Sequence, residues 1–256
     1  MIIIMMMKLN NGLKSKDETF DSFYLGRVLV LQKKGGYRFS VDAPLLADFI
    51  QTTASDELLE LGAGNGVISL LLSIKPFKHI TAVEIQESLT DLAGRNVRLN
   101  KLEDKISIIG KDLLRFQPKK KFDIVFSNPP YIKKNQGHLG PSLEKSIAKH
   151  ELKVDIFGIM RKTGELLKKE GRAYFIFRAK RKEDFMRAVE MNGLKVRSIR
   201  FVHPRQSSPP NFFLTECDFT SEQERVLPPF ILHDEDGNYT GEAEEIFRGR
   251  VNAENS

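Results

Sequence analysis

The stretch from Glu57 to Gly66 reads ELLELGAGNG and determines the fold class that we predict for the chain. Its first five residues include three leucines and are predicted to form a strand, and three glycines follow within five positions. Glycine lets the backbone turn sharply and approach a ligand closely, and residues 67–74 then have a helical pattern. A glycine turn between a strand and a helix is typical of an open α/β sheet, whose ligands bind at the carboxyl ends of the strands.

Strand-like and helix-like segments alternate downstream of this stretch. Strands are predicted at residues 57–61, 80–85, 106–109, 122–127 and 172–177, and helices at residues 67–74, 87–99, 155–169 and 181–191. Gly171 is predicted to cap the helix at residues 155–169. Residues 195–202 and 211–218 follow as two strands joined by a loop. The pattern predicts an α/β sheet of seven strands, mostly parallel, with an antiparallel C-terminal hairpin and helices on both faces.

Length and composition fit one large domain with short additions. The chain has 256 residues, of which 41% are hydrophobic and 29% charged, so it can bury a sizeable core. We divide it into an N-terminal extension packing on the core (1–54), a central domain with the motifs (55–220) and an acidic C-terminal appendage (221–256). The single cysteine, Cys217, excludes an internal disulfide and favours a reducing, cytoplasmic compartment. No apolar segment reaches the length of a membrane helix.

Charge is distributed unevenly along the chain. Residues 216–256 contain 11 acidic and 3 basic residues, a net charge of −8, whereas the whole chain carries +6. Residues 1–215 therefore carry a net charge of +14. A body this basic attracts a polyanion, so we expect a nucleic acid partner. No membrane partner and no obligate protein partner are expected.

Two acidic residues follow the strands next to the glycine turn. Glu84 lies at the end of the second predicted strand, 18 residues after Gly66, where a carboxylate can accept hydrogen bonds from both hydroxyls of a ribose. Asp112 follows the third strand and can accept a hydrogen bond from the exocyclic amine of an adenine. Together with the glycines, the two acids predict a pocket for an adenosyl nucleoside. A nicotinamide dinucleotide site would have similar parts, so the pocket alone leaves the chemistry open.

Residues 128–131 read NPPY and directly follow the fourth predicted strand. The prolines remove two backbone donors and hold the chain extended, so that the Pro129 carbonyl and the Asn128 amide oxygen can point into the cleft. An adenine amine is a poor nucleophile because its lone pair is delocalised into the ring. Two acceptors that bind its hydrogens can aim the lone pair at a methyl sulfonium, while Tyr131 stacks on the base. The motif predicts methylation of an amino group on a planar molecule, with Asn128, Pro129 and Tyr131 as the catalytic candidates.

These motifs, in this order, resemble those of the class I, Rossmann-like methyltransferases that methylate amino groups. Within that group the chain most resembles the bacterial tRNA(valine) adenine N6-methyltransferases, through residues 37–47, 201–205, 228–232 and 238–240. Pro44 departs from the pattern. The resemblance implies S-adenosylmethionine as the cofactor and a tRNA adenosine 3′ of the anticodon as the acceptor. The cofactor-binding residues that we expect are Glu60, Gly62, Gly64, Gly66, Glu84, Asp112 and Asn128.

Several other interpretations stay open. The glutamine N5-methyltransferases of release factors also use NPPY, but they usually carry a helical N-terminal domain, whereas residues 1–54 contain short β-like runs. Methylation of guanine N2 in ribosomal RNA is also compatible with the motifs. A dehydrogenase would leave NPPY unexplained, and the intact motifs disfavour a non-catalytic RNA-binding protein. The basic segment at residues 132–150 is predicted either to clamp RNA or to be a solvated loop. No histidine and cysteine cluster predicts a metal site.

Overall fold

Eleven β-strands are present in the computed structural model, which describes residues 13–35, 41–129 and 155–249. The strands are β1 (Glu18–Phe23), β2 (Val28–Lys33), β3 (Glu57–Leu61), β4 (His79–Glu84), β5 (Ile106–Gly110), β6 (Phe122–Ser127), β7 (Leu167–Arg178), β8 (Lys195–His203), β9 (Phe212–Asp218), β10 (Arg225–Val226) and β11 (Phe230–Ile231). The first two strands pair with each other as a separate antiparallel hairpin. The other nine belong to one mixed sheet.

Seven strands of the main sheet have the order β5-β4-β3-β6-β7-β9-β8. The neighbouring pairs from β5 to β7 are parallel, whereas β9 runs antiparallel to both β7 and β8. This confirms the predicted Rossmann-like sheet with its antiparallel C-terminal hairpin. The count of seven is too low, because two short strands, β10 and β11, pair with β8 and cover part of its outer edge. A pair of two-residue strands has too little pattern to be recognised in a sequence.

Six α-helices surround the sheet in the described part of the chain. They are α1 (Asp42–Phe49), α2 (Val67–Leu71), α3 (Glu87–Leu99), α4 (Ile156–Leu166), α5 (Lys182–Met191) and α6 (Gly241–Arg248). Side chains of α1, α2, α3 and α6 pack on one face, and those of α4 and α5 on the other. Neighbouring strand residues alternate between the two faces, as Leu58 and Leu59 do. Within these residues no helix is both long and apolar enough to cross a bilayer.

Gly171 lies inside β7, so the prediction that it caps a helix is wrong. Helix α4 ends at Leu166 and β7 begins at the next residue. A β-bulge in β7 separates the pair Phe122 and Leu167 from the pair Ile124 and Arg172. The bulge follows the helix without a loop, which is why the helical prediction for residues 155–169 ran too far. A β-carbon on Gly171 would lie 2.7 Å from Leu167 Cδ1 and 2.9 Å from the carbonyl oxygen of Asp123.

We expect Gly171→Ala to lower the free energy of unfolding by about 1–3 kcal/mol, because the added methyl group overpacks the bulge against backbone. Gly94→Ala is the matched control, since its β-carbon makes an ordinary contact of 3.7 Å with the flexible Arg98 side chain. Gly94→Ala places an alanine inside helix α3 and should instead raise the free energy of unfolding by about 0.5–1 kcal/mol. Urea denaturation of both variants measures the difference, and equal effects would refute the steric explanation.

The N-terminal hairpin is joined to helix α3 by two asparagines. The Asn96 side chain accepts from the Leu31 amide at 2.7 Å and donates to the Leu31 carbonyl at 3.1 Å, and Asn100 binds Leu29 in the same way. These residues lie four positions apart, so their amides follow one face of the helix and pair with β2 as a strand would. Asn96 also donates to the Asn65 carbonyl at 3.0 Å. The hairpin, the helix and the glycine turn are therefore held together.

Candidate active site

The glycine turn between β3 and α2 needs its glycines for backbone geometry. Gly62, Gly64 and Gly66 have φ angles of +77°, +58° and +79°, a region that other residues rarely adopt. The amides of Gly62 and Ala63 both donate to the Val83 carbonyl, at 2.9 and 3.0 Å. The turn is therefore folded against the carboxyl end of β4, next to the predicted ribose-binding residue.

Glu84 is a buried carboxylate that is held by backbone amides. One of its oxygens accepts from the Gly64 amide at 2.8 Å and the other accepts from the Gln86 amide at 2.9 Å. The side chain is buried, with 6% of its residue surface exposed. These bonds fix the carboxylate against the glycine turn. The structure therefore brings together two motifs that the sequence predicted to share one pocket.

Asp112 lies beside Glu84 at the same edge of the sheet. The Lys111 amide donates to the Glu84 carbonyl at 3.0 Å, which brings the end of β5 next to the end of β4. The Asp112 side chain accepts from the Leu114 amide at 2.9 Å and is partly exposed. A cap of this kind fixes one carboxylate oxygen toward the backbone, while the side chain stays partly exposed at this edge of the sheet.

Glu60 is the buried acidic residue at the start of the glycine turn. It accepts a short hydrogen bond from the Ser69 hydroxyl of helix α2. Burial raises the pKa of the Glu60 carboxyl to about 8; the Ser69 bonds oppose this shift and the neighbouring charge of Glu84 adds to it. The carboxyl therefore binds a proton in the folded chain at pH values where an exposed glutamate is ionised.

This shifted pKa predicts a pH dependence of stability. Between its ordinary value of 4.5 and about 8, Glu60 keeps its proton in the folded chain and loses it on unfolding. The folded state then binds more protons than the unfolded state, so the free energy of unfolding falls as the pH rises through this window. We expect Glu60→Gln, which cannot ionise, to weaken that decline. Urea denaturation between pH 5 and pH 8.5 tests this, and parallel curves for both proteins would contradict it.

Asn128 lies one residue beyond β6, beside the glycine turn. The preceding residue, Ser127, donates its hydroxyl hydrogen to the Leu61 carbonyl at 2.6 Å, which fixes the end of β6 against the end of β3. The Asn128 amide nitrogen donates to Asp42 at 2.9 Å. Pro129 is buried, and Pro130 lies outside the described residues. The two motifs that the sequence placed at one edge of the sheet are therefore adjacent.

The contact between Asp42 and Asn128 was not predicted from the sequence. Asp42 starts helix α1, is buried with 5% of its surface exposed, and its second oxygen accepts from the Ala43 amide at 3.1 Å. Because the Asn128 nitrogen faces Asp42, the amide is oriented with its oxygen directed away from this carboxylate. The two residues are separated by 86 positions, and no local pattern predicts such a pair. Tyr131 and the basic segment 132–150 lie outside the described residues.

The glycine turn also contains Asn65, whose side-chain environment is unusual. Its side chain is buried, and both of its polar amide atoms lack a hydrogen-bond partner within the part of the chain that the structure describes. An unsatisfied buried amide is costly, and a polar ligand beside the turn is one way to satisfy it. In the described ranges, no group of three or more acidic, histidine or cysteine side chains is arranged to hold a metal ion.

The comparison with known families agrees with this geometry. The model of the methyltransferase small domain family matches residues 38–190, which is more than half of the chain and includes the glycine turn, Glu84, Asp112 and the NPPY motif. The chain belongs to this family. It is a class I methyltransferase that depends on S-adenosylmethionine, which confirms the resemblance and the expected cofactor.

Relatives of this methyltransferase include several proteins described as tRNA1(Val) (adenine(37)-N6)-methyltransferases. The protein from Vibrio campbellii is 26% identical over 210 residues, which cover 80% of this chain and 84% of the relative. The protein from Aliivibrio fischeri is 26% identical over 226 residues, covering 87% and 92% of the two chains. The protein from Vibrio cholerae is 28% identical over 182 residues, covering 71% and 75%.

Solved structures support the fold of this methyltransferase. A predicted O-methyltransferase from Agrobacterium tumefaciens superposes with a TM-score of 0.64 at 19% identity, covering 82% of this chain and 97% of the other. A tRNA m1G37 methyltransferase from M. jannaschii gives a TM-score of 0.54 at 18% identity, covering 82% and 59%. At these identities the likeness shows a shared fold and carries no information on the substrate.

Proposed function

We propose that the central domain, residues 55–220, transfers a methyl group from S-adenosylmethionine to the N6 amine of an adenosine in tRNA. The observation that carries the proposal is the position of Asn128, which lies at the carboxyl end of β6 beside the glycine turn with its amide nitrogen bound to Asp42. An amide oxygen in this place suits a planar amine. The names of the relatives support tRNA as the acceptor.

The cofactor pocket is proposed to lie between the glycine turn and the ends of β4 and β5. The described residues fit a nucleoside there, because the glycine backbone permits close approach and Glu84 presents a fixed carboxylate to ribose hydroxyls. Asp112 lies at the rim, where it can accept from the adenine amine. Glu60 lines the start of the turn, and Asn65 offers an unsatisfied amide. When bound, S-adenosylmethionine supplies an electrophilic methyl group.

The acceptor amine is proposed to bind Asn128 and Pro129 through its two hydrogens. The Asn128 amide oxygen and the Pro129 carbonyl accept these hydrogens and turn the nitrogen lone pair out of conjugation with the ring. Asp42 holds the Asn128 amide in the orientation that presents its oxygen. Tyr131, which is outside the described residues, is proposed to stack on the base. No strong general base is needed, because the amine becomes acidic after it has been methylated.

The positioning role of Asp42 gives a kinetic prediction. We expect Asp42→Ala to lower kcat at least tenfold, with the Kd for S-adenosylmethionine changed by less than about threefold, since truncation releases the Asn128 amide. Asp42→Asn should be intermediate, because asparagine keeps only one of the two oxygens that accept separately from Asn128 and Ala43. In an Asn128→Ala background the loss of Asp42 should add little. Equal, additive losses in both backgrounds would assign Asp42 a purely structural role.

A panel of acceptors tests the proposed substrate class. The purified protein is incubated with methyl-labelled S-adenosylmethionine and, separately, with total tRNA, ribosomal RNA and a translation release factor. We expect label in tRNA, at a rate at least a hundredfold above the other acceptors. Label confined to the release factor would identify a glutamine N5-methyltransferase, and label confined to ribosomal RNA would support guanine N2 methylation. Either of these results would overturn the proposal.

A further inference from the structure

Four basic residues lie at and just after the carboxyl end of β7, in the sequence RAKRK at residues 178–182. This basic strip consists of Arg178, Lys180, Arg181 and Lys182, and it runs from the last residue of β7 through a 3-10 turn to the first residue of helix α5. Strand β7 lies parallel beside β6, with Ser127 paired to Phe175. The strip therefore lies at the same edge of the sheet as Asn128, on the neighbouring strand.

Aromatic rings hold three members of the basic strip. The Arg178 guanidinium lies 4.4 Å from the centre of the Phe212 ring, the Arg181 guanidinium 5.1 Å from that of Phe177, and the Lys182 ammonium 5.5 Å from that of Phe201. These rings belong to β9, β7 and β8, which are rigid parts of the sheet. A ring face restricts a basic side chain without cancelling its positive charge. Stacked cations of this kind are preorganised for an anionic partner.

Basic residues at the opposite, amino edge of the sheet have different partners. Glu57 lies 3.3 Å from Lys78 and 3.1 Å from Lys120, and Asp123 lies 2.8 Å from Lys168. These carboxylates offset the charges of Lys78, Lys120 and Lys168. Within the strip, Arg181 lies 3.3 Å from the Asp184 carboxylate as well as over the Phe177 ring.

We propose that the basic strip binds the phosphodiester backbone of the RNA substrate, next to the nucleotide whose base enters the active site. The inference rests on the proposed function and adds the surface that positions the RNA. Phosphate contacts fix the register of a nucleic acid without reading its sequence, and here they would place one base at the end of β6. Since the side chains of Arg178 and Lys180 are exposed, their removal should leave the cofactor pocket unchanged.

Fluorescence anisotropy with end-labelled tRNA tests the basic strip. The variant is Arg178→Ala with Lys180→Ala, and the matched control is Lys119→Ala with Lys121→Ala, which removes the same charge from exposed positions at the opposite edge. We expect the strip variant to raise the Kd for tRNA about tenfold and to reduce the slope of log Kd against log salt by about two, since two phosphate contacts are lost. Its Kd for S-adenosylmethionine should not change. The control should bind tRNA within about twofold of the wild type.

The outcomes separate this inference from the proposed function. If the wild type binds tRNA and the strip variant binds it equally well, or if the control loses as much affinity, the strip proposal is wrong and the tRNA activity stands. If the wild type neither binds nor methylates tRNA, both proposals fail. If the strip variant loses affinity for a release factor but keeps its affinity for tRNA, the strip binds a protein partner and the inference is wrong. Lys180→Glu, a single change at an exposed position, keeps the test valid if the double variant unfolds, and should weaken tRNA binding by itself.

Discussion

Asn128→Ala should lower kcat for tRNA methylation at least about a thousandfold, because it removes an acceptor that orients the reacting amine in a site where the geometry is fixed in advance. The variant should still bind S-adenosylmethionine, with a Kd within about fivefold of the wild type, since the glycine turn and Glu84 are held by their own backbone bonds. Single-turnover assays with saturating cofactor measure the loss in the chemical step directly.

The matched control for this variant is Asn238→Ala, an exposed asparagine in the turn after Asp236. It removes the same side chain and should leave both kcat and cofactor binding unchanged. If Asn128→Ala keeps more than about a tenth of the wild-type rate, the amine is oriented by other groups. That result would remove the argument that links this site to amino-group methylation.

Glu84→Gln should raise the Kd for S-adenosylmethionine at least about a hundredfold. Each carboxylate oxygen accepts from a backbone amide, and glutamine supplies one oxygen where two are needed. Its NH2 group must then face the amide of either Gly64 or Gln86, so that a buried donor is left unsatisfied and the turn is displaced. The charge that favours bonds from ribose hydroxyls is lost as well. Isothermal titration calorimetry measures the affinity.

Glu87→Gln is the control for Glu84, because it makes the same chemical change three residues further on at an exposed position. Its Kd for the cofactor should lie within about twofold of the wild type. Melting curves without cofactor should show whether the Glu84 variant remains folded. A folded Glu84→Gln protein that binds S-adenosylmethionine normally would show that the cofactor lies elsewhere.

The sequence predicted the parts of the fold whose signal is local and periodic. Strand β3 and helix α3 begin and end where the pattern of leucines and alanines predicts, since each buries one regular set of positions. The helix predicted at residues 155–169 extends beyond Leu166, where α4 ends, because the residues of the bulge are good helix formers. Strands β10 and β11 were missed because their pairing with β8 depends on tertiary contacts.

In the candidate site, too, some features could be predicted from the sequence and others could not. The positions of the glycine turn and Glu84 follow from the rule that carboxyl ends of parallel strands meet at one edge, so the sequence was sufficient to bring them together. The contacts that orient them were not predictable in this way. Asp42 reaches Asn128, and Asn96 reaches the Asn65 carbonyl, across long stretches of chain. Such pairs depend on the packing of helices against the sheet.

The most direct test of the central claim is the identity of the nucleoside that this protein makes. Total tRNA is incubated with the protein and S-adenosylmethionine, digested to nucleosides and separated by mass and retention time. The proposed function predicts N6-methyladenosine, at no more than one residue per acceptor tRNA, and its absence when Asn128→Ala replaces the wild type. Methylated guanosine, or no methylated nucleoside from a protein that binds the cofactor normally, would contradict it.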